Sequence, residues 1–276
     1  MISDGDAFSK TEYIKHLRTF EQLIKMAVSV SDASGGINTS NLGIAATKAY
    51  TRITLSAITI GSILPMNQVT RTCLWDFPSV ASLARTCLET CHRYLYLSEK
   101  DLTTEDAEFR LSLYYYHLNC EKYRLYREFG ASQDILSDFQ KKLPSAKAVL
   151  MASPVYASLS QYMANKVKEG KTGMHFSDEE IAERHALIGG RFKPIYRLLS
   201  NHVHGTSFAT NSQSNIRGRG IENPADVGYI TLSLHLLNDY LAVSILKQIE
   251  LLSLHQTCIK AVKYANIVRQ SYNGQD

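Results

Sequence analysis

The spacing of apolar residues constrains this chain more than any other feature. Between about residues 11 and 31, Tyr13, Ile14, Leu17, Phe20, Leu23, Ile24 and Val28 recur at intervals of three and four. That is the period at which side chains return to one face of an α-helix. Helical patterns are also expected over about 41–64, 80–98, 105–129, 133–142, 144–168, a segment opened by Ser177, the region around Pro194, and about 224–265. No stretch alternates apolar and polar residues as a half-buried strand does. The breaks carry helix-stopping residues: SDASGGINTSN after the first segment, then Pro65, Gly130, Gly170 and Gly173, and Gly189 with Gly190. The expected fold is all-α, an elaborated up-and-down helical bundle. Residues 1–276 read as a single helical domain with a mobile loop at about 205–228.

Composition narrows the setting. A chain of 276 residues can bury a substantial core, and 45% hydrophobic with 20% charged residues argues against disorder. The net charge of +4 permits an anionic partner, but no cluster of Lys and Arg gives a DNA-specific signal. Cys73, Cys87, Cys91, Cys120 and Cys258 are odd in number and thinly spread, which points to a reducing cytoplasm. The N-terminal MISDGDAFSK has acidic residues where a signal peptide needs a basic start. The weakly polar stretch 53–66 is shorter than the ~20 residues that span a bilayer, so no membrane association is expected.

Chemistry concentrates in residues 196–205, YRLLSNHVHG. At about 100° per residue, Arg197, Asn201 and His204 share a helical face, with Ser200 on its flank. His202 points away unless the helix distorts before Gly205. An imidazole takes or gives a proton near neutrality, and a guanidinium is a forked donor suited to phosphate. Together they can cleave RNA without a metal, by internal attack of the 2′-hydroxyl. His204 would act on the attacking or leaving oxygen and Arg197 would hold the developing charge.

A second cluster, Arg85, Glu89 and His92, falls at i, i+4 and i+7. It is either an exposed ion pair worth about 0.3–0.5 kcal/mol, or a support in which Glu89 orients Arg85 or His204. The neighbouring Val80, Leu83, Ala84, Leu88 and Leu95 indicate a largely buried helix, where charges need partners. Arg217 and Arg219, set among glycines in the 205–228 loop, offer a weak phosphate-binding loop. The tyrosines of LYYYHLNCEKYRLY read as core and packing surface rather than a base-stacking platform. Cys87, Cys91 and His92 lack zinc-site spacing, and no phosphate loop, dinucleotide fingerprint or nucleophile elbow occurs. Neither metal nor other cofactor is therefore expected.

Arg197 followed by His202 and His204 resembles the Arg-x4-6-His motif of the higher eukaryotes and prokaryotes nucleotide-binding (HEPN) superfamily. Many members are helical, dimeric, metal-independent ribonucleases with motifs from both subunits meeting at the interface. The resemblance implies an RNA substrate, a homodimer and a toxin or defence role, with Arg197, His204, His202, Asn201 and Ser200 at the catalytic site. Over about residues 76–204 the chain also resembles a group of bacterial helical proteins of no assigned activity. Those carry an Arg-x3-Glu helix and a later segment with Tyr, Leu-Ser and His in order, here Arg85, Glu89, Tyr196, Leu199, Ser200 and His204. The alternative function is a non-catalytic binding or scaffold protein with a buried Arg85–Glu89–His204 network. A third reading is a small-ligand or metal pocket built from His202, His204 and Glu89.

Overall fold

In a computed structural model that describes residues 9–187, 192–213 and 217–273, the chain folds into twelve α-helices, with no strand among the described residues. The all-α reading holds. The helices fall into two compact units, one holding residues up to 39, 46–98 and from 178 onward, the other 40–45 and 99–177. No Gly- or Pro-rich linker marks this division at positions 99 or 178.

The first unit contains α1 (Lys10–Ala33), α2 (Asn41–Ile63) from Ala46 onward, and α3 (Phe77–Leu97). It continues with α8 (Asp178–Arg184), α9 (Phe192–Val203), α10 (Ser207–Asn211), α11 (Pro224–Leu251) and α12 (Ile259–Asn273). Helix α11 is its axis, packing against α1, α3 and α12. Ile230, Leu234, Leu237, Leu241 and Ile245 are buried along with residues on its other sides, as expected of a helix apolar all round. Among the described residues α11 alone is long and apolar enough to cross a membrane, and most of that stretch is buried within the protein. Several of its polar side chains are engaged, although the Asn238 Oδ1 has no hydrogen-bond partner among the described residues. Asn238 donates to the His16 carbonyl at 3.1 Å, Asp239 pairs with Arg269, and Gln248 donates to Ser34 and Thr47 at 3.1 and 3.2 Å.

Helix starts use local chemistry. The Ser9 hydroxyl accepts the Glu12 N–H at 3.2 Å while the Glu12 carboxylate accepts the Ser9 N–H at 2.8 Å, a reciprocal cap on α1. Asp76 caps α3 by accepting the Ser79 N–H at 3.2 Å. Asn223 caps α11. Such caps each contribute about 1 kcal/mol.

The second unit contains α4 (Thr104–Glu128), α5 (Gln133–Met151), α6 (Pro154–Ala157) and α7 (Gln161–Lys168). Its core is Phe109, Leu113, Tyr116, Cys120, Leu150 and Val167. The sequence pattern divides this region at Pro144, but α5 runs through it. Leu143 and Ala146 pack against that core on either side of the missing N–H, which holds the helix together.

Three other boundaries differ. The 205–228 stretch is not structureless. It contains α10, and Trp75 donates its N–H to the Gly220 carbonyl at 3.0 Å in an isolated antiparallel bridge. Gly220 has φ +76°, the left-handed conformation that favours glycine. The helical pattern of 224–265 is two helices, separated at 252–258 where Ser253 takes φ +56°. Helix α8 ends at Arg184, while its expected end at Gly189 and Gly190 lies outside the described residues.

Candidate functional site

Helix α3 packs on α9, and this pairing brings together four side chains from the two sequence clusters. The Arg85 guanidinium is the hub. Its Nε donates to Glu89 Oε1 at 3.0 Å, one terminal nitrogen donates to the Tyr196 hydroxyl at 3.1 Å, and the other meets His204 Nε2 at 3.0 Å. The Tyr196 hydroxyl donates to Glu89 Oε1 at 2.7 Å, and Arg85 also lies 4.9 Å from the Tyr196 ring centre. Burial works against the charge on Arg85, but Tyr196 and Glu89 hold its pKa above the ordinary arginine value. Burial, then the bond to Glu89, raises the Tyr196 hydroxyl, which keeps its proton.

The contact with His204 fixes a tautomer. A guanidinium only donates, so Nε2 accepts through its lone pair and the ring proton sits on Nδ1. His204 follows the last residue of α9 and is exposed. Its N–H donates to the Ser200 carbonyl at 3.1 Å, and Gly205 next to it takes φ +53°. The helix end therefore aims an accessible imidazole at a guanidinium held from behind.

The other sequence-nominated residues lie elsewhere. Arg197 shares α9 but is exposed, and its guanidinium forms no hydrogen bond or ion pair among the described residues; Arg85 occupies the position next to His204 expected of it. Asn201 donates to the Arg197 carbonyl at 2.9 Å and accepts from Thr206 at 2.9 Å, and Ser200 donates to the Tyr196 carbonyl at 2.7 Å. Both polar side chains serve the helix end. His202 is buried against Phe77, with ring centres 4.6 Å apart, and neither ring nitrogen has a hydrogen-bond partner among the described residues. Burial, with Arg217 nearby, pulls its imidazole below the ordinary value against an upward pull from Asp226.

Of the two arginines of the expected phosphate-binding loop, Arg217 is already engaged within the protein. Arg217 lies 3.5 Å from the buried Asp226 carboxylate and 4.6 Å from the Tyr229 ring centre. Arg219 lies beside the Gly220 bridge. His92 does not join Arg85 and Glu89 either. Fully buried, its Nδ1 meets Asp178 at 2.8 Å and its Nε2 meets the Tyr240 hydroxyl at 2.8 Å. Burial opposes the Asp178 charge, but the bond to His92 and the charges of His92, Arg93 and Arg85 hold that carboxyl below its ordinary value. Asp178 and Tyr240 were missed because they lie on helices far apart in sequence, with no local spacing to announce them. Phe192 stands between the two networks, its ring 5.1 Å from His92 and 5.2 Å from Tyr196.

The described residues contain no group of three or more His, Cys, Asp or Glu placed to hold a metal. Cys87 and Cys91 are buried free thiols, and Ser244 donates to Cys91 Sγ at 3.7 Å. No family model, curated protein or solved structure matches the chain.

Proposed function

We propose that the chain is a metal-independent, HEPN-like endoribonuclease in which Arg85 partners His204. One observation carries the reading: an exposed imidazole presents its Nε2 lone pair 3.0 Å from a guanidinium locked by Glu89 and Tyr196. A guanidinium has five N–H groups, and three are engaged here, so the remainder can turn to a phosphate. When phosphate takes up the Arg85 donor, Nε2 is released to accept a proton. The 2′-oxygen then attacks phosphorus and its proton passes to His204. The P–O5′ bond breaks, and the imidazolium returns the proton to the leaving oxygen. The products are a cyclic phosphate and a 5′-hydroxyl. Arg197, exposed on the same helix, binds substrate phosphate outside the scissile bond. A homodimer, a cytoplasmic setting and a toxin or defence role belong to the same proposal.

A non-catalytic scaffold is the second reading, because Glu89 and Tyr196 already satisfy much of Arg85. RNA cleavage and thermal unfolding measured together on wild type and His204→Ala separate the two. The nuclease reading requires wild-type cleavage without added metal, lost in the variant at unchanged melting temperature. Absence of wild-type cleavage with a lowered variant melting temperature supports the scaffold.

A further inference from the structure

The second unit contains a cavity that the nuclease proposal leaves unused. Along α5, Ile135, Phe139, Leu143 and Ala146 recur at helical spacing and form one apolar face. Helix α4 lies antiparallel beside it, with Phe109 and Leu150 in a shared core at one end and Tyr123 near Phe139 toward the other. Beside the aromatic and apolar contacts that α4 makes with this stripe, it also presents Asn119 and Lys122, and a cavity of about 320 Å³ stays open between the helices. Small-ligand sites begin at about this volume and pair an apolar floor with a few polar groups.

We propose that this cavity binds a small anionic amphiphile, a fatty or aryl carboxylate. Its apolar body lies on Ile135, Phe139, Leu143 and Ala146, and its carboxylate lies between Lys122 of α4 and Lys142 of α5. Both lysines are exposed and neither has an ion-pair partner among the described residues. Asp138 is the one carboxylate lining the cavity, against two ammonium groups, so the local charge favours an anion. The floor is set before any ligand arrives. Tyr126 and Tyr123 hold the Phe139 ring at centre distances of 5.8 and 6.2 Å, and Gln140 donates to the Tyr123 hydroxyl at 3.2 Å. Such preorganisation lowers the ordering cost of binding. The cavity is too small to seat a helix, which favours a small molecule over a peptide partner.

The test is calorimetric titration of the full chain with decanoate, decanol and decylammonium below their micelle concentrations. Wild type should bind decanoate saturably at one site per chain, with decanol and decylammonium at least tenfold weaker. The double variant Lys122→Glu with Lys142→Glu should lose at least tenfold in decanoate affinity, and Ala146→Trp, which fills the floor, should abolish binding. Circular dichroism checks the fold; if Ala146→Trp misfolds, the exposed lysine pair decides alone. No saturable decanoate binding, equal binding of decylammonium, or an unaltered affinity in the lysine variant each overturns the proposal. So does self-association that the lysine variant abolishes in a protein that ignores decanoate, since a second copy would then be the occupant.

Discussion

His202 and His204 lie two residues apart on one helix end and occupy opposite physical situations. His204 is exposed, yet its Nε2 is paired to a guanidinium. His202 is buried against Phe77 and has no partner for either nitrogen among the described residues. Helical rotation turned one ring toward Arg85 in the middle of α3 and buried the other against Phe77 at the start of the same helix. The contrast teaches that a pair of histidines in one motif need not be a pair in chemistry. One holds a lone pair where a ligand can reach it, and the other holds the helix end down at some cost in unsatisfied polarity.

The sharpest test of this division concerns activity. If His204 and Arg85 form the reacting pair, Arg85→Gln should reduce RNA cleavage at least about hundredfold, the usual scale for removing acid–base or charge-stabilising groups. Arg197→Gln should change it by no more than about threefold, as a peripheral phosphate contact would. Equal losses in the two variants would restore Arg197 to the centre and break the comparison.

His92 supplies the reference for a buried histidine that does have partners. His92→Ala removes bonds to Asp178 and Tyr240 and leaves a cavity, so it should cost about 3 kcal/mol, read as a lower urea midpoint. His202→Leu should do the reverse. With no hydrogen bond to lose and an apolar side chain of similar size in its place, it should stabilise by about 1 kcal/mol, a rise of roughly 2–4 °C in melting temperature. A fall of that size would show that His202 has a partner after all.

The smallest effect lies in the pH dependence. The His202 imidazole is held below its ordinary value by burial first and Arg217 second. The folded state then binds fewer protons than the unfolded chain. Its contribution is full above the ordinary imidazole value near ~6.5 and is lost as pH falls from there toward the folded value. Wild type should therefore lose more stability than His202→Leu between about pH 7 and pH 5. His16 is also lowered by burial, so some slope persists in both, and the difference between them reports His202.

Much of this was legible in the chain. The apolar spacing set the helical class and located α1 to α4 within a few residues, because amphipathic periodicity and caps are local properties. Arg85, Glu89, Tyr196 and His204 were nominated from two separate segments, and α3 packing on α9 joined them. Face arithmetic on a single helix assigned Arg197 to His204, since it could not know that a second helix brings a closer guanidinium. The burial of His202, the Asp226 contact of Arg217 and the Asp178–His92–Tyr240 link depend on packing between distant segments. Pro144 misled for a related reason: tertiary contacts on either side carried α5 across a position that local propensity would break.

The division of the chain has a consequence for how it is made. The second unit is drawn largely from one stretch, 99–177, whereas the first closes only when α11 meets α1, which begins more than 200 residues earlier. On a ribosome, the second unit can therefore form while α1 and α3 still wait for the helix that will bury them. Contacts so distant in sequence also fold slowly. The apolar faces of α1 and α3 are thus the surfaces a nascent chain keeps open longest, and the ones a chaperone would meet first.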